Sequence, residues 1–158
     1  MAERRYWLVK SEPNTYSFDD LMSEDDQTAE WDGVRSYQAR NTMRDDMKEG
    51  DVVLFYHSNA KPNAVVGTAI VVRGGYPDHT AWDPDSHYAD PKSTPENPIW
   101  YMVDIKADRK FDRPVSLPDI KASKDLENMV LVKNSRLSVQ PVTPEEFETV
   151  VRMGAGEA

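Results

Sequence analysis

The feature that most constrains the fold is a nearly continuous apolar run from Asp51 to His57, which reads Asp-Val-Val-Leu-Phe-Tyr-His. A strand with one solvated face would alternate apolar and polar residues, so an uninterrupted run of this length indicates a central strand buried on both faces. A second run of the same kind, from Ala64 to Val72, follows after a turn that contains asparagine and proline. We therefore expect two core strands, with Gly67 marking a bulge or a close approach in the second.

Shorter patterns define the elements around these two strands. Aromatic, β-branched or alternating residues predict further strands at 5–9, 99–105 and 136–142, with 111–115 extending or following the second of these. Capping residues and helical spacing predict short helices at 17–22, 37–48, 118–124 and 144–151. Gly50 is expected to end the second helix. An acidic solvated loop at 23–30 and an ordered surface excursion at 73–98 complete the chain.

The arrangement of these elements indicates the fold class. Five or six strands with short helices between them lack the regular alternation that builds a doubly wound sheet. The pattern instead predicts an α+β fold, a small mixed β-barrel with short flanking helices. At 158 residues the chain is expected to form a single domain over 1–158, with 1–4 and 153–158 as loose termini.

Composition excludes several classes of function. The chain has no cysteine, which removes disulfides, thiolate nucleophiles and zinc–thiolate sites, and with 3 histidines a metal centre would have to use carboxylates. No apolar stretch is long enough to cross a membrane. We therefore expect no cofactor, no metal and no membrane partner. A cytoplasmic location is expected, or a nuclear one in a eukaryote.

Charge is distributed unevenly along the chain. The formal net charge of -9 opposes non-specific binding to the phosphates of nucleic acid. Three stretches nevertheless contain Lys or Arg and no acid, and they run from Gly33 to Arg44, from Val52 to Pro77 and from Asn128 to Pro144. If these stretches meet in space, they form one positive surface on an otherwise negative protein.

Catalytic and metal-binding patterns are weak. Ser58 follows His57, but neighbouring residues on a strand point to opposite faces, and the chain has no Gly-x-Ser-x-Gly elbow. The segment from Asp83 to Asp90 resembles a metal-binding loop, yet the glycine and glutamate that a calcium loop requires are missing. A polar surface loop accounts for that segment better.

The stretch from Trp31 to Asn41 favours binding over catalysis. It reads Trp-Asp-Gly-Val-Arg-Ser-Tyr-Gln-Ala-Arg-Asn and combines two aromatic rings with arginine and amide side chains. Arginine and amide groups are multiple donors in a fixed plane, and aromatic rings are flat surfaces on which a base can stack. Trp31 fits a core position as well as it fits a stacking surface, and Arg35 and Arg40 also fit ion pairs with the preceding acids. As a set on one surface, these residues indicate a pocket for a planar polar ligand.

Several motifs resemble those of the EVE domain, in the same order along the chain. They are Tyr-Trp-Leu-Val-Lys-Ser-Glu-Pro at 6–13, the Trp31–Asn41 stretch, Gly50-Asp51 continuing to Asn59, Val66-Gly67, Tyr76-Pro77-Asp78, 100–104 and Arg136 to Val142. The resemblance covers essentially the whole chain and extends to the thymocyte nuclear protein family and its bacterial relatives. It implies a PUA-like barrel, related to the YTH readers of methylated adenine.

The resemblance also implies a non-enzymatic pocket for a modified nucleobase in RNA or DNA. Carried onto this chain, the pocket consists of Lys10, Ser11, Trp31, Val34, Arg35, Ser36, Tyr37, Gln38, Tyr56, His57, Ser58 and Arg136. The family usually has asparagine at the position of Ser36. Serine has a short rotatable hydroxyl where asparagine has a donor and an acceptor in a fixed plane. This position therefore bears on which base is preferred and on whether a water bridges it.

Three hypotheses about function follow. The first is a reader that accepts an extruded or single-stranded base, with Arg40 and Arg136 holding phosphate. The second, motivated by the net charge of -9, is a small-molecule binder for a free modified nucleoside or another heterocycle. Salt dependence separates the two, because phosphate contacts release counterions. The third, an enzyme acting on the bound base, is motivated only by His57 beside the pocket, and we expect no catalysis.

Overall fold

The computed structural model describes residues 4–133 and 137–155, which contain six strands and five helices. The strands are β1 (Tyr6–Ser11), β2 (Thr28–Glu30), β3 (Val52–His57), β4 (Ala64–Pro77), β5 (Tyr101–Ser116) and β6 (Val139–Val142). The helices are α1 (Phe18–Met22), α2 (Tyr37–Asp45), α3 (Leu117–Ala122), α4 (Val130–Lys133) and α5 (Pro144–Gly154), with 3-10 turns at Asp25–Gln27, His79–Trp82 and Lys124–Leu126. Within these ranges every helix is too short or too polar to serve as a membrane span.

The six strands form one mixed sheet in the order β2-β5-β4-β3-β1-β6. β1 and β3 are parallel, in register from Tyr6 opposite Val52 to Ser11 opposite His57, and the other neighbouring pairs are antiparallel. β3 is buried along its length except at His57, as predicted from its apolar run. The predicted α+β class is confirmed, and the parallel pair brings the carboxyl ends of β1 and β3 to one edge of the sheet.

Each face of the sheet carries its own hydrophobic core. Side chains of β3 alternate between the two: Val53 and Phe55 enter the core that includes α1 and α2, whereas Leu54 and Tyr56 enter the core that includes α3, α4 and α5. Gly67 lies at a close approach of β4 and β5, since a Cβ there would come within 2.7 Å of the Arg109 carbonyl oxygen. The close approach predicted at this glycine is confirmed.

The two predicted capping boxes are present. Ser17 caps α1 and Thr143 caps α5, and in each case the third helical residue bonds back to the cap. α5 continues to Gly154 rather than ending at the predicted Val151. Its last turn packs directly on the Phe111 ring, which a Cβ at position 154 would overlap. Tertiary packing therefore determines where this helix ends.

Four strands extend beyond their predicted segments or lie outside them. β1 continues to Ser11 rather than ending at the predicted Val9. β5 is continuous from Tyr101 to Ser116 and joins two predicted strands, because its polar middle is exposed while its backbone still pairs with β4. β4 continues to Pro77, into the predicted excursion. β2 lies inside the predicted acidic loop, where it pairs with β5 at the edge of the sheet. Its half-exposed side chains leave no apolar pattern to detect.

Two elements are shorter than predicted. α2 ends at Asp45, because the Met47 backbone N–H bonds back to the Thr42 carbonyl at 3.0 Å in a widened turn. Met47 is nevertheless fully buried and continues the apolar stripe of the helix. β6 begins at Val139, and Arg136, where the strand was predicted to begin, lies outside the described residues.

Asp51 ties the start of β3 to the start of β1. Its buried carboxylate accepts hydrogen bonds from the Trp7 indole N–H at 2.8 Å, the Arg5 backbone N–H at 3.1 Å and the Lys48 backbone N–H at 3.0 Å. A hydrogen bond to a charged group contributes about 1.5–3 kcal/mol. One side chain therefore anchors the parallel pair at the end opposite Ser11.

We expect Asp51→Asn to lower the free energy of unfolding by about 2–3 kcal/mol, because an amide nitrogen replaces one accepting oxygen and leaves a buried donor unpaired. Urea unfolding followed by tryptophan fluorescence measures the change. Asp112→Asn, at an exposed position of β5, is the matched control and should stay within about 0.5 kcal/mol of wild type. Equal stability of the two variants would contradict the anchoring role of Asp51.

Candidate functional site

A cavity of about 810 Å³ opens where β1 ends. Its lining comes from segments that are distant in sequence, namely residues 10–12, 15–16, 29–36 and 87–88, with Glu24 and Ser138. This volume is in the range of about 300–1,000 Å³ that small-molecule sites occupy. A second hollow, of about 1020 Å³, lies around Asp51 at the opposite end of β1, and none of the predicted site residues lines it.

Trp31 forms an apolar wall of the cavity and is packed in the core at the same time. Its backbone N–H donates to the Val103 carbonyl at 2.7 Å, beside the last residue of β2. Its ring meets Phe55 edge-on with centroids 5.4 Å apart, and Tyr16 in the same manner at 6.3 Å. Only 9% of Trp31 is exposed, so the indole is a fixed surface. Of the two roles that the sequence left open for Trp31, the core position is confirmed, and the ring also lines the cavity.

Asp78 holds the Trp31–Ser36 segment in place. Its fully buried carboxylate accepts hydrogen bonds from the Gly33 backbone N–H and the Arg35 Nη1, each at 2.9 Å. The Thr80 backbone N–H at 2.9 Å and hydroxyl at 2.5 Å complete the set. Burial alone would raise the pKa of Asp78, but the hydrogen bonds from Thr80, Gly33 and Arg35 together hold it below its ordinary value.

Gly33 allows the surface excursion to fold back as a wall of the cavity. Its φ is +76°, and a Cβ there would lie 2.6 Å from the Tyr88 ring. Arg35 Nη2 donates to the Tyr88 carbonyl at 2.6 Å, which fixes the backbone of the same residue. His87 and Tyr88 consequently line the cavity, although they are far from Trp31 in sequence.

A row of stacked aromatic rings and arginine side chains, called here the aromatic ladder, extends from Tyr88 to α2. The Arg35 guanidinium lies 5.6 Å from the Tyr88 ring centroid and 5.3 Å from that of Trp100. Trp100 stacks on Tyr37 with centroids 5.0 Å apart, and Arg40 lies 5.0 Å from the Tyr37 centroid. Each exposed cation–ring contact contributes about 0.5–1 kcal/mol. The ladder therefore holds the first turn of α2 against the excursion.

The structure brings together half of the predicted site residues. The cavity lining includes Lys10, Ser11, Trp31, Val34, Arg35 and Ser36. Tyr37 and Gln38 lie beside it on the exposed first turn of α2, and Tyr56, His57 and Ser58 lie outside the lining at the end of β3. Arg136 is outside the described residues.

The end of β3 lies beside the cavity, but its side chains do not line it. Tyr56 is 2% exposed and belongs to the core on the far face of the sheet. His57 Nε2 accepts the Phe18 backbone N–H at 3.1 Å, and burial lowers the pKa of His57, which favours the neutral acceptor form. The Ser58 backbone N–H donates to the Ser11 carbonyl at 3.0 Å and extends the parallel pair.

The polar residues of the lining also have structural partners. Ser11 donates its hydroxyl to the Tyr16 carbonyl at 2.5 Å, and Ser36 is the N-cap of α2, accepting from the Ala39 N–H at 3.5 Å. Asparagine is as good an N-cap as serine, so the difference from the family at Ser36 leaves the helix start intact. Burial lowers the pKa of the Lys10 ammonium group.

Sequence reasoning missed the acidic part of the lining. Beside the two cations stand four carboxylates, those of Glu12, Glu24, Glu30 and Asp32. The positive surface expected from the acid-free stretches therefore does not extend into the cavity. Burial, followed by repulsion from Asp78 and Glu30, raises the pKa of Asp32. The sequence signal that could have identified Asp32 was its position, since it lies inside the Trp31–Asn41 stretch.

The segment from Asp83 to Asp90 is built of local turns. The Asp83 carboxylate accepts from the Asp85 backbone N–H at 3.0 Å. Asp90 accepts the Trp100 indole N–H at 2.7 Å, which ties the excursion to the residue before β5. Among residues 4–133 and 137–155, no group of three or more His, Asp or Glu is placed to hold a metal ion.

The fold and the cavity define an α+β domain of the PUA-like class, in which one fixed indole faces polar side chains. The EVE domain family matches residues 5–153, and the chain belongs to this family. Human thymocyte nuclear protein 1 is 40% identical over 165 residues, which cover 94% of this chain and 73% of that protein. The resemblance seen in the sequence motifs is thereby confirmed.

Two solved structures share the fold over nearly their whole length. A hypothetical protein from Leishmania major superposes with a TM-score of 0.92 at 47% identity, covering 98% of this chain and 96% of that chain. The crystal structure of human THYN1 protein in complex with 5-methylcytosine containing DNA superposes with a TM-score of 0.90 at 39% identity, covering 98% and 99%. The topology is therefore that of other EVE family members.

The lowered pKa of Asp78 predicts how the free energy of unfolding depends on pH. Because its pKa is lowered in the folded chain, its carboxylate stabilises the fold above the ordinary aspartate pKa of about 3.8, and this contribution is lost as pH falls through the lowered value. We expect Asp78→Asn to be roughly 2–4 kcal/mol less stable than wild type at neutral pH. The difference should shrink below about pH 4. Urea unfolding across a pH series tests this, and a constant difference down to about pH 2 would contradict it.

Proposed function

We propose that this protein is a non-enzymatic domain that recognises a modified nucleobase in DNA through the cavity at the end of β1. The proposal is supported by the cavity and by similarity to human THYN1, whose structure contains 5-methylcytosine DNA. RNA presents the same kinds of base, so the experiments below compare both polymers. On this proposal the location follows the nucleic acid, and the protein would be nuclear in a eukaryote.

The observation that carries the proposal is the fixed indole of Trp31 beside polar side chains in a cavity of about 810 Å³. Trp31 is held by Phe55 and Tyr16, so its surface exists before a ligand arrives. Base stacking on an aromatic side chain contributes about 1–3 kcal/mol. The Lys10 ammonium lies 5.7 Å from the Tyr56 ring centroid, so the backbone of the Trp31–Ser36 segment is proposed to provide the polar groups toward the base edge.

The residues outside the lining are proposed to contact the neighbouring nucleotides. Tyr37 is 61% exposed and follows Ser36 at the cavity, and Gln38 shares its exposed turn. Arg40 donates Nη1 to the Ile99 carbonyl at 2.7 Å and Nε to the Asn41 side chain at 2.8 Å, and its Nη2 is proposed to hold phosphate. The same role is proposed for Arg136. Extruding a base costs a few kcal/mol and costs least for an unpaired base, so single strands and mismatched sites are the preferred targets.

We infer that the cavity does not catalyse a reaction on the base. The cavity serine at the end of β1, Ser11, donates to a backbone carbonyl instead of to a general base. His57, which motivated the enzyme hypothesis, lies outside the lining and accepts the Phe18 N–H. Incubation with modified nucleosides and oligonucleotides, followed by product analysis, should show binding without turnover.

Trp31→Leu keeps an apolar side chain in the core but removes the indole plane. We expect it to weaken binding of a 5-methylcytosine oligonucleotide by roughly 5- to 150-fold, which corresponds to about 1–3 kcal/mol of stacking. Fluorescence anisotropy with a labelled single strand measures the change. Trp7→Leu is the control, because Trp7 is equally buried but lies at the other end of β1. Equal loss of binding in both variants would point to general destabilisation and would count against the stacking role.

Arg40→Gln tests the phosphate contact. We expect a lower affinity for DNA and a reduction of about 0.7–0.9 in the slope of log affinity against log salt, as for one lost phosphate contact. Arg109→Gln, exposed on β5 and outside the cavity lining, should leave the slope unchanged. The same salt titrations are made with RNA of the same sequence and with the free nucleoside.

The free nucleoside decides between the two binding hypotheses. It has no phosphate, so its affinity should barely respond to salt and should be lower than that of the oligonucleotide. If the nucleoside binds as tightly as the oligonucleotide and both are insensitive to salt, the protein is a small-molecule binder and the DNA proposal is wrong.

A further inference from the structure

Asp32 differs from the other three carboxylates of the cavity. Glu12, Glu24 and Glu30 are exposed and solvated, whereas Asp32 is half-buried and directly follows Trp31 in the chain. A carboxylate that is partly removed from water destabilises the fold unless hydrogen-bond donors compensate it. Asp32 is therefore in the position where a donor supplied by a ligand has the largest effect.

The protein's own charges make this site more negative. Burial has the largest effect on the pKa of Asp32, and repulsion from Asp78 and Glu30 raises it further. Its own backbone hydrogen bond and the charge of His79 act in the opposite direction. The net effect disfavours the ionised carboxylate, as is common for groups that act on a ligand.

The nearest arginine in the sequence is committed elsewhere. Arg35 directs Nη1 to Asp78 at 2.9 Å and to the Val34 carbonyl at 3.1 Å, and Nη2 to the Tyr88 carbonyl at 2.6 Å. Asp78 is fully buried and takes the ion pair, while Asp32 lines the open cavity. The arrangement separates a structural carboxylate from one that faces the ligand space.

We propose that Asp32 determines which base the cavity accepts, because its carboxylate accepts a hydrogen bond from the exocyclic amino group of a base that lies against Trp31. The inference rests on the proposed function, since it requires a base in the cavity. Asp and Glu accept hydrogen bonds from the N4 amino group of cytosine in DNA recognition. Thymine and uracil carry an oxygen at the same ring position, so two acceptors would face each other.

5-Methylcytosine and thymine form a matched pair for this test. Both carry the methyl group on the same ring carbon, and they differ at the amino or oxygen substituent and the adjacent ring nitrogen. Methyl contacts and ring stacking should therefore be similar for the two bases. A site that hydrogen-bonds a polar substituent rejects the analogue without it, because the buried acceptor would be left unpaired.

The experiment measures binding of three single-stranded oligonucleotides that carry cytosine, 5-methylcytosine or thymine at one position of the same sequence. We expect wild type to prefer 5-methylcytosine to thymine by on the order of tenfold or more. In Asp32→Asn the side-chain amide can donate to the thymine oxygen, so the preference should fall several-fold or reverse. Asp112→Asn, the same chemical change at an exposed position of β5, should keep the wild-type preference.

Asp32→Ala and urea unfolding keep the test decisive. Because the pKa of Asp32 is raised, removing its charge should leave the fold at least as stable as wild type, and Asp32→Ala should also lose the preference. If both variants retain the wild-type ratio of 5-methylcytosine to thymine binding, the role of Asp32 is overturned while the proposed function stands. If wild type binds none of the oligonucleotides, the proposed function itself fails.

Discussion

The buried carboxylate of Asp78 is the interaction on which the cavity depends. It follows β4 directly and accepts hydrogen bonds from the Trp31–Ser36 segment, through Gly33 and Arg35, and from the first turn of the excursion, through Thr80. The first of these segments has no regular secondary structure, and the second has only the short 3-10 turn His79–Trp82. A carboxylate removed from water requires all of its donors, so the two segments adopt one arrangement together. Arg35 also contacts the rings of the aromatic ladder, which holds the first turn of α2 in place.

Local chemistry made most of the fold predictable from sequence. The apolar run of β3 and the capping boxes that begin with Ser17 and Thr143 each depend on residues within a few positions of one another. The glycine at 67 indicated a close approach, although its partner, the Arg109 carbonyl, is distant in sequence. What the sequence did not show depends on distant partners. β2 forms because β5 offers it an edge, and α5 extends because Gly154 fits against Phe111.

The candidate site divides in the same way. Motif resemblance and the aromatic–arginine stretch located Lys10, Ser11 and the Trp31–Ser36 segment, which the structure brings to one cavity. The end of β3 was assigned to the pocket by the resemblance. Its backbone does lie beside the end of β1, but alternation directs Tyr56 to the opposite core. The four carboxylates come from separate segments of the chain, and no local sequence pattern indicates that these segments meet.

The parallel pairing of β1 and β3 has a consequence for the order in which the chain folds. The whole Trp31–Ser36 segment lies in the connection between these two strands, and its anchors, Asp78 and the Val103 carbonyl, come later still. Contacts that close long loops form slowly, because chain entropy is lost before they stabilise anything. A growing polypeptide therefore cannot complete this cavity until β5 has been synthesised. The site matures with the domain as a whole.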